Sequence, residues 1–294
     1  MALIKVNNLE KTFKVKTRRF KALSGMSFEV EWGEILGFLG PNGAGKSTTI
    51  KIIMDLIRAD KGAVEINGLS SRDPQARKFI GFMPENPQYF DSLTGLDLLL
   101  FTASVFGIDK KQASKKAWQL LEEFGLKDAA KRPIRKYSKG MIQRVGFAST
   151  LIHEPQVLIL DEPMSGLDPI GRVLFKNKMK ELNKNGVTIF FSSHIIPDIE
   201  DICSRVLIVN KGKVIKSLTR EEIRFLTTTG FSIITDRCLD HPKCAKISDN
   251  LYSIKTKKEE LLKLLKQLEE AGIKIIDIEP VKKNLEEVFV ELVD

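Results

Sequence analysis

Residues 40 to 48 read Gly40-Pro41-Asn42-Gly43-Ala44-Gly45-Lys46-Ser47-Thr48, a complete G-x-x-x-x-G-K-[ST] phosphate loop. Its flanks meet the demands of that motif. Ile35-Leu36-Gly37-Phe38-Leu39 is a short apolar run that reads as a buried strand, and Ser47 to Ile57 carries apolar residues at helical spacing. Strand, loop and helix in that order let the glycines turn backbone N–H groups toward phosphate oxygens, while the positive end of the helix adds its dipole. The chain is therefore expected to bind a nucleoside triphosphate. Lys46 is placed to reach the β- and γ-phosphates, and the Ser47 hydroxyl to hold Mg²⁺.

A phosphate loop serves several reactions, and the next motif narrows them. Val157-Leu158-Ile159-Leu160 is an apolar run ending in Asp161-Glu162. That puts two carboxylates at the C-terminal edge of a buried parallel strand, where open α/β sheets bind ligands. Asp161 is expected to bind Mg²⁺ through its water shell and Glu162 to polarise an attacking water. An Asp-Glu pair standing alone would read as a helix cap or an ion pair; following a phosphate loop, it reads as catalytic.

Between these motifs lies Tyr137-Ser138-Lys139-Gly140-Met141-Ile142-Gln143-Arg144, followed by an apolar helix from Val145 to Ile152. This segment resembles the signature motif of ABC-transporter ATPases, with Lys139 where a second glycine is usual and Met141 where glutamine is usual. Ser165-Gly166-Leu167-Asp168 resembles the D-loop of that family. His194, after the strand Thr188-Ile189-Phe190-Phe191, resembles its switch histidine. Glu85, in Gly81-Phe82-Met83-Pro84-Glu85, stands where the Q-loop glutamine is expected, with Gln88 as the competing candidate, and Phe13 stands where an aromatic residue stacks on adenine.

The motifs occur in the family's order over about residues 1 to 219. The resemblance implies an α/β fold: a P-loop ABC ATPase core with an inserted helical subdomain at about residues 86–158, followed by a small C-terminal α+β domain at 220–294. It implies ATP and Mg²⁺ as ligands, with Glu162, His194 and Lys46 in catalysis and Ser47, Glu85 and Asp161 around the metal. Ser138 and Gly140 are implied to act across a head-to-tail dimer, completing the site of a second ATPase subunit, and Asp168 to belong to the nucleotide-binding set. A homodimer is permitted and a heterodimer remains open.

The signature variant and the ending Leu285-Glu286-Glu287-Val288-Phe289-Val290-Glu291-Leu292 resemble exporters of the ABC-2 type. The resemblance then implies integral membrane permease subunits as partners and a peripheral location on the cytoplasmic face of the cell membrane. An ABC ATPase acting on ribosomes or DNA, and an importer ATPase, are the alternatives. Translation-type members carry two cassettes per chain and chromosome-type members insert long coiled coils. This chain has one cassette, with about ninety residues between Lys46 and Ser138.

Composition constrains the rest. The longest apolar stretch, Leu96 to Phe106, contains Asp97 and falls short of the roughly 18 residues of a membrane span. No secretory leader is read at the amino end, where Met1 to Val6 leads into a strand-like alternation. The net charge of +9 divides into +11 for residues 1–219 and −2 for the remainder. Lys14, Lys16, Arg18, Arg19 and Lys21 form the densest basic cluster, with Phe20 the aromatic nearby. Nucleic acid is not expected as its partner; an anionic leaflet or plain solvation explains the cluster as well.

Three cysteines, Cys203, Cys238 and Cys244, are an odd number and are expected to be reduced thiols. Cys238, His241 and Cys244 could gather around Zn²⁺, although no fourth ligand is apparent. In the carboxyl-terminal domain, Thr219-Arg220-Glu221-Glu222 reads as a capping box. Strands at 231–234 and 251–254, an amphipathic helix from Lys258 to Ala271, a strand at 274–278 and a helix from Leu285 to Val293 predict a β-β-α-β-α order.

Overall fold

Two long amino-terminal strands, β1 (Ala2–Val15) and β2 (Arg18–Glu31), pair antiparallel, and buried positions alternate along β2 from Met26 to Val30. Alternation buries one face only, so the ribbon must lie on something apolar. That partner is a run buried on both faces, β3 (Ile35–Leu39). The computed structural model describes residues 2–15, 18–239 and 244–282. Residues 1–219 and 220–294 form two compact units.

After β3 come α1 (Lys46–Ile53), β4 (Lys61–Ile66), β5 (Leu69–Ser70) and β6 (Ile80–Met83). Three helices follow, α2 (Gly95–Val105), α3 (Lys110–Glu123) and α4 (Lys139–Leu151). The chain then alternates through β7 (Val157–Leu160), α5 (Pro169–Lys184), β8 (Thr188–Ser193), α6 (Ile196–Ile202), β9 (Arg205–Asn210) and β10 (Lys213–Thr219). The central sheet has the order β10-β9-β3-β8-β7-β6, with β10 the antiparallel member beside β9. The second sheet, β2-β1-β4-β5, is antiparallel throughout.

Phe28 of β2, Phe38 of β3 and Phe190 of β8 meet with ring centroids 5.3 to 5.6 Å apart, joining the two sheets through one apolar core. A second aromatic group, Phe124, Phe147 and Phe175, ties α3 and α4 to α5. Thr94 and Asp97 form a reciprocal capping box at the start of α2. Among the described residues no helix is long and apolar enough to cross a membrane.

The first helix ends sooner than its apolar spacing predicts, at Ile53 rather than Ile57. Asp55 adopts a left-handed φ of 54°, and the Asp55 and Leu56 N–H groups donate back to Ile52 and Lys51. That is a Schellman stop, which satisfies the terminal carbonyls and turns the chain toward β4.

The second unit opens with α7 (Arg220–Thr227) and β11 (Thr228–Thr235), followed by β12 (Cys244–Ser248), β13 (Leu251–Lys257), α8 (Leu261–Glu270) and β14 (Ile275–Lys282). Its antiparallel sheet runs β12-β13-β11-β14. Leu264 and Leu268 of α8 pack on Ile233 and Ile254, with Leu261 and Leu265 at the margin of that cluster. Strand β12 corrects the predicted order. Its five residues bury no side chain fully, so no apolar alternation marks them.

Cys238 and Cys244 form a disulfide, which corrects the expectation of three reduced thiols; Cys203 is buried and is not part of that bridge. The chain brings their Cα atoms to 6.2 Å, inside the span a disulfide bridges. His241 and the expected helix from Leu285 to Val293 lie outside the described residues. Among the described residues no group of His, Cys, Asp and Glu side chains is arranged to hold a metal by itself.

Truncating the ring that both sheets share tests this core. Phe190→Ala is expected to lower the stability of residues 1–219 by about 3–5 kcal/mol. Urea unfolding followed through Trp32 and Trp118, both in that unit, measures it.

Candidate functional site

The C-terminal ends of β3, β6, β7 and β8 lie side by side in the central sheet, and the sequence motifs are the segments that leave those ends. The phosphate loop leaves β3 and enters α1 at Lys46. Two of its glycines are required. A Cβ at Gly40 would sit 2.4 Å from the Val209 carbonyl oxygen, and Gly45 takes a φ of 104° with the Ala22 carbonyl oxygen 2.9 Å from where a Cβ would be. A cleft of about 280 Å³ lies over the loop. It is lined by Phe20 and Ala22, by the loop from Pro41 to Thr48 apart from Ala44, and by Glu85 and Glu162.

Lys46 is buried and its ammonium donates to the carbonyl oxygens of Gly40 at 2.6 Å and Pro41 at 3.3 Å. It also lies 3.3 Å from Glu162 Oε1. The other carboxylate oxygen, Oε2, is 2.9 Å from His194 Nδ1. The carboxylate accepts from Nδ1–H, and Nε2 is the other ring nitrogen. Glu162 is itself buried and adopts a left-handed φ of 48°, uncommon for any residue but glycine. Its N–H donates to Ser192 Oγ at 2.9 Å.

Asp161 accepts from two hydroxyls at the same oxygen, Ser192 Oγ at 2.6 Å and Ser47 Oγ at 3.1 Å. Burial pushes its carboxyl above the ordinary range; the two hydroxyls pull it back, and the neighbouring Glu162 charge pushes it up again. The result is a compact array of hard oxygens beside an ammonium. Such an array suits a hydrated divalent cation and a polyphosphate.

The remaining candidates fall into two groups. Glu85 lines the cleft, whereas Gln88 is exposed and is not among the residues lining it. The signature residues lie elsewhere. Ser138 caps α4 by accepting from Met141 N–H at 3.2 Å, Gly140 lies in the first turn of that helix, and neither lines the cleft. Asp168 caps α5 by accepting from Gly171 N–H at 2.7 Å and lies 3.6 Å from the Arg144 guanidinium. Phe13 also stays off the cleft, paired across the ribbon with Phe20.

Three residues escaped the motif reading. Ser192 joins Asp161 to Glu162, and its signal is a polar pair ending an otherwise apolar strand. Gln143 is buried and donates through Nε2 to the Glu85 carbonyl at 2.9 Å, tying α4 to the segment after β6. Phe20 has no local signal beyond being an aromatic residue in a basic ribbon.

Comparison with known proteins gives three findings. The ABC transporter family model matches residues 23–165. An ABC transporter ATP-binding protein of Synechocystis sp. is 41% identical over 70% of this chain, which spans 59% of that relative's length. The bacitracin transport ATP-binding protein of Bacillus licheniformis is 33% identical over 99% of this chain and 97% of its own. Among solved structures, a dimeric ATP-binding cassette in a post-hydrolysis state bound to ADP and Pi superposes with a TM-score of 0.69. It is 25% identical over 74% of this chain and 98% of its own.

The raised Asp161 pKa has a testable sign. A carboxyl whose pKa is higher in the fold than in the unfolded chain costs stability once pH is above the unfolded value, and the cost is absent when the group is neutral. Asp161→Asn keeps an acceptor for both serine hydroxyls and removes the charge. Without nucleotide its thermal midpoint at neutral pH is expected to match or exceed that of the parent. Its Mg²⁺-dependent ATP turnover is expected to fall about 10²-fold or more.

Proposed function

Since this chain belongs to the family of ABC transporter ATPases, we propose that it is the ATP-hydrolysing subunit of an exporter, driving separate membrane permease subunits from the cytoplasmic face of the membrane. The observation that carries the chemistry is the placement of Glu162. Its carboxylate is fixed between Lys46 and His194, one residue from the Asp161–Ser47 pair. The bacitracin transport relative, similar over nearly the whole chain, supports the exporter reading.

ATP is the substrate and its phosphates enter over the loop. Lys46 and the loop amides neutralise their charge. Ser47 and Asp161 would hold Mg²⁺, which would offset charge on the phosphates. Glu162 accepts a hydrogen bond from the attacking water and so aligns and polarises it. His194, oriented by the donation of Nδ1–H to Glu162, donates to a γ-phosphate oxygen when Nε2 also carries a proton.

Ser138 and Gly140 act on the nucleotide of a second copy. Both stand at the amino end of α4 and away from their own cleft, which supports a head-to-tail homodimer with two equivalent sites. The dimeric cassette among the structural neighbours supports the same assembly.

Two experiments test these roles. Glu162→Gln preserves shape and removes the carboxylate, so hydrolysis is expected to fall by roughly 10²-fold or more while ATP binding persists and stabilises the dimer. Normal turnover, or no dimer with ATP, would contradict the assignment. At Glu85, Gln is expected to retain activity because its amide oxygen replaces the carboxylate. Glu85→Ala is expected to raise the Mg²⁺ requirement and lower turnover together; a rise seen only with Gln88→Ala would move the role to that residue.

A further inference from the structure

A second cleft, of about 260 Å³, opens where the segment after α1 meets β4 and β5, and it shares no lining residue with the cleft over the phosphate loop. Its floor is apolar, with Ile52 and Val64 both buried there. Above the floor stand Arg58, Arg72, Ser70 and Ser71, together with one carboxylate, Asp55.

Local backbone geometry sets these residues in place. The Schellman stop of α1 returns the Leu56 and Ile57 N–H groups to the Lys51 carbonyl, at 2.8 and 3.4 Å, so Arg58 leaves the helix beside the cleft. A turn follows β5, in which Asp73 N–H donates to the Ser70 carbonyl at 2.9 Å and Arg72 N–H to Ser70 Oγ at 3.3 Å. Ser71, inside that turn, is 6% exposed. Its N–H donates to the Val64 carbonyl at 2.9 Å and its own carbonyl accepts from the Arg77 guanidinium. Its hydroxyl has no hydrogen-bond partner among the described residues, although buried hydroxyls are ordinarily paired.

The charges of the cleft do not cancel. Asp55 is 4.0 Å from the Arg77 guanidinium, whereas among the described residues neither Arg58 nor Arg72 has a carboxylate within that distance. The carboxyl end of α1 brings about half a negative charge, against the two positive charges of Arg58 and Arg72. The balance favours an anion. A guanidinium binds phosphate through two parallel N–H···O bonds. A carboxylate has oxygens for one such fork; a phosphate monoester presents three terminal oxygens, which serve two forks and a hydroxyl.

We propose that this cleft binds a phosphate group, free or carried by a small organic ester, between Arg58, Arg72 and the Ser71 hydroxyl. The site is separate from that of the nucleotide. Helix α1 spans the two, with Lys46 at one end and Ile52 near the other. In an ester, the organic part meets the apolar floor.

The test is the rate at which phenylglyoxal modifies each arginine of the full chain, mapped by peptide mass spectrometry at matched ionic strength. The nucleotide cleft is lined by no arginine, so a residue-level reading keeps it out of the signal. Two probes are titrated, inorganic phosphate and glycerol 3-phosphate. Saturation is expected to slow modification of Arg58 and Arg72 about tenfold, with one shared midpoint, and to leave the exposed Arg135 unaffected. Protection by inorganic phosphate, with or without the ester, assigns the site to the free anion; protection by the ester alone assigns it to a ligand whose body meets the floor. Ser71→Ala is expected to raise the midpoint about tenfold, the worth of a hydrogen bond to a charged group. Arg72→Gln, at an exposed position, is expected to remove protection of Arg58. No protection by either probe, equal protection of Arg135, separate midpoints for the two arginines, or Arg58 protection that survives Arg72→Gln would each overturn the proposal.

Discussion

The Asp161 carboxylate has almost no access to water, and its two hydroxyl partners come from segments far apart in sequence. Ser47 arrives from the loop after β3 and Ser192 from β8, while Asp161 itself follows β7. The three strands must therefore be neighbours and in register. They are: β8 lies between β3 and β7, with Ser192 opposite Phe38 and Phe191 opposite Leu160. A slip of one residue in β8 would turn Ser192 to the other face and leave a buried carboxylate with one donor fewer. The aromatic core of Phe28, Phe38 and Phe190 resists that slip, because the same shift would carry Phe190 out of the layer between the sheets. Packing in the core and chemistry at the strand ends are set by one register.

Lys46 and Glu162 add a second constraint. Both are buried, and removing one partner of such a pair costs about 3–5 kcal/mol by stranding the other charge. Both side chains line the cleft over the phosphate loop. The left-handed backbone at Glu162 costs about 1–3 kcal/mol, and its hydrogen bond to Ser192 helps hold it there.

Much of this was legible in the residues. The phosphate loop and its flanking strand, the Asp161-Glu162 ending and the helical insert are local patterns, each set by spacing within one segment. What was not legible depends on pairing between segments. Ser192 reaches Asp161 only because β8 lies beside β7. Phe20, not Phe13, is among the residues lining the cleft, a difference that motif position does not report. The early end of α1 turned on a left-handed Asp55, a conformation that side-chain periodicity does not report. Cys238 and Cys244 misled because cysteine parity counts thiols, whereas bridging depends on how close the fold brings the two Cα atoms, here 6.2 Å.

The signature segment shows how a motif can be complete and still lack its ligand within one chain. Ser138 spends its hydroxyl on capping α4, the Lys139 side chain lies across Gly166, and Arg144 stands beside Asp168. These contacts bind the signature helix to the D-loop of the same chain. Gln143, on that helix, holds the Glu85 carbonyl at the edge of the cleft. One helix therefore touches the segment that lines its own nucleotide site and carries the residues proposed to complete another.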